Sequence, residues 1–470
     1  MPPTLLIRDL LRKKSVSAIL FGFIFVSVLL ASASAGMIRM LIESTTALMA
    51  KSVVPHYVQM HSGALDARAI DHWAEMTGLI HDHQIVEMVP VEGGYLHFGD
   101  RDTPETASVM DFYFVRQNER FDFLLNLENE RVDVAQGEIA VPVYFMRHRN
   151  LAVGDRLRIV HPEFVREFVI RDFVRDAQMN PSVVHSKRFV VHPGDFEFLK
   201  RYAGAVEYLI EFRLTHAGKL REFHTLYQSS DLPKTGPAVD VNLFRTLNAL
   251  SDGIVAAVLL MVSLVLILIA MLCVRLTLLS TLEEDYREIG VLKALGASRR
   301  FIRRIYLAKY VLLAGAASLC GYAASYPVSR LLAADIALYL GASDRGLLHA
   351  ALPFAAAALI CGLLILFCLL VLRRFHRVSA VEALRSGIIG DARVSGKRWR
   401  LHRSRALPVP VFLGLQGVTQ RYRAFGLLFF VFVSSTFLLL VPIHFLNTIQ
   451  SPGFVRSEEH TSELQSLRHL

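Results

Sequence analysis

Cysteine is scarce and badly placed for chemistry. The four, Cys273, Cys320, Cys361 and Cys368, all lie in or beside long apolar runs, and none falls between Ile38 and Leu250. The polar part of the chain is therefore not a disulfide scaffold, and no C-x-x-C or thiolate metal site is available. A G-x-x-x-x-G-K-[ST] loop is missing, so the chain should not hydrolyse nucleotide itself. H-E-x-x-H and G-x-S-x-G are missing too, which removes the corresponding metalloprotease and serine-hydrolase readings. His81, Asp82 and His83 form the one tight His/Asp cluster, but alternate residues of a strand or turn point apart, and no metal is expected there. The apolar runs carry no central Asp, Glu, Lys or Arg, which counts against a proton- or ion-coupled transporter. Lys309 and Arg330 lie towards the ends of their run, where they can snorkel.

What is abundant is apolar sequence. Of 470 residues, 53% are hydrophobic, concentrated in runs of about the 20 residues that cross a bilayer. Five spans are expected: Val16–Met37, Ile254–Val274, Ile305 to about Leu331 with Pro327 inside, Leu352–Leu372, and Phe425 to about Phe445. The alanines at 31, 33 and 35 resemble a signal-peptidase site. However, helical apolar spacing continues through Met40, Leu41 and Leu48, which favours an uncleaved span that extends as a helix.

Between the first two spans lies an ordinary mixed α/β composition, long enough to bury a core. Asp66–Met76 is patterned as a helix with Ile70 and Trp73. Gly93–Gly94 reads as a hairpin turn between two strands. Period-two alternation predicts strands through Val141, Val143 and Phe145, and through Tyr208, Ile210 and Phe212. Asp195 is placed to cap a helix ending near Tyr202. From Val241 the pattern turns helical and runs into the second span.

The net charge of +9 resolves into topology. The N-terminal segment has four Lys/Arg and one acid, Arg275–Arg304 seven against four, and Arg373–Arg423 twelve against two. Arg39–Leu250 has 23 basic and 29 acidic residues, and Leu332–Ala351 one Arg and two Asp. By the positive-inside rule the first three are cytoplasmic, and the large domain and the short connection are outside. Nucleic acid is not needed to explain the charge.

One polar stretch, Glu283–Arg304, interrupts the second and third spans. Ile289, Leu292 and Leu295 are expected on one helical face, with Arg287 and Lys293 off it. Gly296 should stop that helix, and Ser298 should cap the next. The sequence REIGVLKALGAS, with RRFIRR after it, resembles the signature of FtsX-like ABC-transporter permeases of the macrolide-exporter and lipoprotein-release type. Arg287, Glu288, Ile289, Gly290, Lys293, Ala294, Leu295, Gly296 and Ala297 all match it. LAVGDRLRI, Leu151–Ile159, resembles a segment of that family's outer domain. The resemblance implies a permease subunit that is not itself an enzyme. It implies that a separate cytoplasmic P-loop ATPase binds ATP and Mg, and that a second permease half or a homodimer partner completes the assembly. It implies that the loop after the second span, with Leu292 among its contacts, receives force for work outside a bacterial cell membrane: export, extraction or mechanotransmission. Arginines 299, 300, 303 and 304 read as lipid anchors.

The expected fold is thus a polytopic α-helical membrane protein with a large mixed α/β extracytoplasmic domain between helices 1 and 2. Its expected parts are residues 1–50 (amphipathic segment and first span), 51–240 (outer domain), 241–385 (permease domain with three spans), 386–424 (basic linker) and 425–446 (fifth span). Phe412 onward weakly repeats the N-terminal segment, as in the long, duplicated form of the family, cut short. Residues 456–470 read as a non-native tail. Two alternatives stand beside the permease: a membrane receptor or sensor with a ligand-binding outer domain, and a regulator of a cell-wall hydrolase.

Overall fold

The computed structural model describes residues 14–374 except 100–103, 106–109, 182–183, 203–205 and 342–349, with scattered positions from 408 to 444. The expected linker 386–424, fifth span 425–446 and tail 456–470 fall almost wholly outside the described residues. In chain order the elements begin with α1 (Lys14–Ser52), β1 (Tyr57–Ser62), α2 (Ala67–Met76), β2 (Ile80–Val91), β3 (Leu96–Phe98), β4 (Asp111–Val115), β5 (Glu138–Pro142) and α3 (Val143–His148). Then come β6 (Arg156–His161), β7 (Phe164–Val174), β8 (Ser186–Val191), α4 (Pro193–Tyr202), β9 (Glu207–Leu214), α5 (Leu220–Ser229) and β10 (Ala238–Asp240). The helical remainder is α6 (Val241–Glu284), α7 (Tyr286–Ala294), α8 (Arg299–Leu332), α9 (Ala334–Leu340) and α10 (Ala351–Arg374).

The chain divides into two compact units, a sheet domain (Met37–Ala256 with Ser329–Leu347) and a helical unit (Met1–Gly36, Ala257–Val328 and Leu348–Leu470). The sheet domain holds ten strands in the order β10-β1-β9-β2-β4-β8-β5-β7-β6-β3. Most pairs are antiparallel, but β4 runs parallel to β8, and β5 to β7. The twelve residues of β2 join the two halves, pairing with β9 through Met88 and with β4 from Val89. Strands at the centre of a mixed sheet covered on both sides lose the in/out alternation. Accordingly Ile139 to Pro142 of β5 and Lys187 to Val191 of β8 are buried throughout. One aromatic core packs Phe112, Phe114, Phe145, Phe168 and Phe189, and a second packs Tyr57, Phe212, Phe223 and Tyr227.

Three local expectations are corrected. The strand through Val141 ends at Pro142, and Val143 and Phe145 lie in α3. Proline offers no ladder donor and its fixed φ suits a helix start. Gly93 and Gly94 form a 3-10 turn, not a hairpin: β3 pairs with β6 rather than with β2. Gly93 is required there by closeness, since a Cβ would sit 2.7 Å from the Glu105 carbonyl oxygen. Asp195 does not cap α4; its carboxylate accepts from the Gly137 N–H at 2.7 Å and pairs with Arg166. Asp66 does cap α2, accepting from Arg68 and Ala69 N–H.

Among the described residues four helices are long and apolar enough to cross a membrane, within Lys14–Ser52, Asp252–Leu282, Arg300–Leu332 and Ala351–Arg373. In the helical unit their inner faces meet through residues such as Leu20, Val28, Ala270, Ala314, Ala317, Ile360 and Cys368. Small residues let these backbones approach, as in membrane bundles generally. Ser263 Oγ donates to the Ser27 carbonyl at 3.0 Å. At Gly321 of α8 a Cβ would lie 2.8 Å from the Phe25 carbonyl oxygen and 3.0 Å from Val28 Cβ. Lys309 is corrected as well: its side chain is 8% exposed, beside a small cavity lined by Val16, Ser17, Leu20, Thr277, Tyr310 and Leu313, rather than extended outward.

Gly321→Val should therefore wedge α1 from α8 and cost about 1–3 kcal/mol by overpacking. The check is labelling of Cys368, as the sole remaining cysteine in detergent, during a thermal ramp. The variant should expose this thiol at a lower temperature than the parent.

Candidate functional site

The stretch singled out in the sequence folds as the end of α6, the short helix α7 and the start of α8. Asp285 links them. Its carbonyl accepts from the Ile289 N–H at 2.9 Å, and its carboxylate accepts from the Tyr306 hydroxyl at 2.9 Å. The helix α7 stops as the glycine predicts. Gly296 sits at φ +86, and the Ala297 N–H reaches back to the Leu292 carbonyl at 3.0 Å. That bond belongs to a Schellman stop, which needs a left-handed residue at the glycine position. Ser298 then accepts the Phe301 N–H at 3.3 Å and caps α8.

The shared apolar face is not what forms. Ile289 and Gly290 are buried, and Ala297 packs partly on the same core. Leu292 is 36% exposed and Leu295 80%. The helix ends at Ala294, so Leu295 leaves the Ile289 face on the turn. Glu288, Val291, Ala294 and Gly296 are exposed alongside them. Arg287 and Lys293 lie on α7. The element thus has two sides: Ile289, Gly290 and Ala297 hold it to the helical unit, while Val291, Leu292 and Leu295 offer an apolar surface outward. Such a surface suits a partner chain.

A second concentration of polar groups was not legible in the sequence. In the sheet domain, the buried guanidinium of Arg188 bonds Asp176 twice, at 2.6 Å each, and Asp122 at 2.6 Å. Asp176 also accepts from the Gln178 and Met179 N–H groups. Burial works against its charge, but Arg188 and these donors hold its carboxyl below the ordinary range. Nearby, Glu211 accepts from Gln84 and Gln178 at 2.7 Å each. Burial, and then the charge of Asp122, push its pKa well up. On the adjacent position of β8, Lys187 Nζ donates to the carbonyls of Met179, Pro181 and Val184. Burial pushes the amine down to about 8. Every group here is occupied by protein partners except Asp122 Oδ1, which among the described residues has none. This is a structural network rather than a reaction centre. His83 bonds Asp71 at 2.8 Å and Asp82 pairs with Arg120. No metal-binding group is found among the described residues.

Part of the helical unit is similar to a known family. Residues 260–377 match the family model described as FtsX-like permease C-terminal. That match contains α7 and the start of α8, which carry the REIGVLKALGAS stretch. No curated protein matches the chain. Among solved structures, the periplasmic region of MacB from Actinobacillus actinomycetemcomitans matches with 10% identity. The match covers 41% of this chain and 91% of that one, at a TM-score of 0.24.

Lys187 gives a test of the charged network. A base whose folded pKa is depressed from 10.5 to about 8 adds stability that is complete above 10.5 and lost as pH falls through about 8. The stability of the wild-type sheet domain relative to Lys187→Met should therefore rise by roughly 3 kcal/mol between pH 7.5 and 10.5. Pulse proteolysis of the full chain in urea measures it, and a pH-independent difference would contradict the assignment.

Proposed function

We propose that this chain is the permease subunit of an ABC transporter. In this reading α7 and its flanks dock on a separate cytoplasmic ATPase, and ATP with Mg is bound and hydrolysed there. The observation that carries the reading is the two-sidedness of α7 within the FtsX-like match. Ile289 and Gly290 are anchored in the helical unit, while Val291, Leu292 and Leu295 stand exposed on the turn that Gly296 closes. An apolar tip braced this way can take a push without folding away from it. Glu288 is exposed beside the apolar contact, and Arg287 and Lys293 lie on the same short helix.

The orientation follows from charge: α7 cytoplasmic and the sheet domain outside the cell membrane. Two helices carry the work between them. α1 has 39 residues and α6 has 44, roughly 58 and 66 Å at 1.5 Å per residue. Both exceed a hydrocarbon core of about 30 Å, and both continue without a break from the helical unit into the sheet domain. This suits mechanical work outside the membrane better than passage of a solute through it. A receptor would use the same helices but would need no ATPase.

Leu292→Asp combined with Leu295→Asp should cut co-purification of the cognate ATPase at least tenfold, with membrane insertion unchanged. Both side chains are exposed, so the fold should tolerate the charges. Undiminished recovery of the ATPase would remove the coupling assignment.

A further inference from the structure

The helix α9, in the connection between the third and fourth membrane helices, is held in the sheet domain by a buried cation. Arg175, at the end of β7 and 5% exposed, donates from Nε to the Leu338 carbonyl at 2.8 Å and from Nη2 to the Ala337 carbonyl at 3.0 Å. Those are carbonyls of the last turn of α9, where the helix dipole favours a cation; the Ala337 carbonyl also accepts from the Gly341 N–H at 3.1 Å. Its Nη1 donates to the Leu127 carbonyl at 2.6 Å and to Asn129 Oδ1 at 2.9 Å. Among the described residues no carboxylate forms an ion pair with it. Burial lowers its pKa, with Glu128 acting in the other direction. The same arginine therefore binds the loop 126–129 with one nitrogen and the end of α9 with the other two.

Three further contacts bring in α9. Arg147 of α3 pairs with Asp335, and Asn180 Nδ2 donates to the Tyr339 carbonyl. Gly341, at φ +89, closes the helix, and a Cβ there would lie 2.8 Å from Asn129 Oδ1 and 3.3 Å from Arg175 Nη1. No other residue type fits both that backbone conformation and that closeness. A buried arginine spent on carbonyls of a seven-residue helix is more than packing requires, since apolar side chains would fill the same space without desolvating a charge.

We infer that Arg175 is the positioning residue of a latch that ties the α8–α10 connection to the sheet domain, giving this domain a third link to the membrane helices besides α1 and α6. The inference rests on the permease reading for its purpose but not for its existence. Movement of the sheet domain would then pull on the third and fourth spans as well, instead of leaving them as passive neighbours.

The test uses the full chain, alone and with its cognate ATPase. In Arg175→Gln, amide exchange at residues 337–341 should rise at least tenfold while β5 and β8 stay protected. ATPase recovery should be unchanged, and ATP turnover of the complex should fall at least threefold. Arg175→Lys keeps the cation but cannot serve both segments with separate nitrogens, so its exchange at 337–341 and its turnover should both fall between wild type and Arg175→Gln. Unchanged exchange at 337–341 in Arg175→Gln, exchange raised throughout the sheet, or turnover that does not follow that order would each overturn the latch. A wild-type chain that recruits no ATPase would overturn the permease reading and the latch's purpose together. The exchange pattern of the chain alone distinguishes that case from a latch that does not hold.

Discussion

A charge removed from water must find partners, and the sheet domain is arranged around three cations that have been removed. Arg188 and Lys187 are adjacent on β8, so one faces each side of the sheet, and both sides are covered. Arg188 takes two carboxylates; Lys187 takes three carbonyls from the chain between Met179 and Val184. Arg175 takes carbonyls from two separate segments. Each choice of partner fixes a piece of irregular backbone that apolar packing alone would leave free. The loop between β4 and β5 and the loop after β7 are therefore specified by charge, while the aromatic clusters beneath supply most of the cohesion.

In the helical unit the governing constraint is different. Lipid offers no hydrogen bonds, so helices have to satisfy themselves and gain contact through close approach. Serines at 27, 32 and 263 turn their hydroxyls onto backbone carbonyls, which keeps these positions small and satisfied. Gly321 against Phe25 and Val28 sets the separation of α1 and α8. α7 interrupts this pattern because its residues are too polar for lipid and too few to form a domain. It is anchored by a single buried isoleucine, a glycine and a capped turn.

How much of this was legible in the sequence depended on the scale of the signal. The long apolar runs gave the membrane helices, since about 20 apolar residues in a row have few other uses. The stop at Gly296 and the cap at Ser298 were legible because each rests on one residue's conformational preference. The strand reading of Val143 and Phe145 failed because alternation over three residues also fits the first turn of a helix, and Pro142 decided between them. The buried network was invisible for a deeper reason. SKRFVV reads as a strand with a polar end, and only its central place between β4 and β5, in a part of the sheet covered on both faces, buries it. Long-range partners such as Asp122 for Arg188 and Ala337 for Arg175 leave no local trace.

The contrast between Arg188 and Arg175 carries the last step. Arg188 is neutralised by two carboxylates fixed within the domain core, so its bonds have no alternative arrangement short of unfolding. Arg175 is bound to the C-terminal carbonyls of a short helix that continues covalently into a membrane span. Hydrogen bonds to a charged group contribute about 1.5–3 kcal/mol each. Carbonyl acceptors are directional, so a shift of α9 along its axis would lose the bonds to Ala337 and Leu338 together rather than stretch them gradually. The guanidinium would keep its contacts to Leu127 and Asn129 but leave two donors facing the vacated space. A holding point of this kind has two states, bound and released, and sits where the chain passes from the sheet domain towards the fourth span. That is the property a joint needs if it is to transmit displacement rather than absorb it.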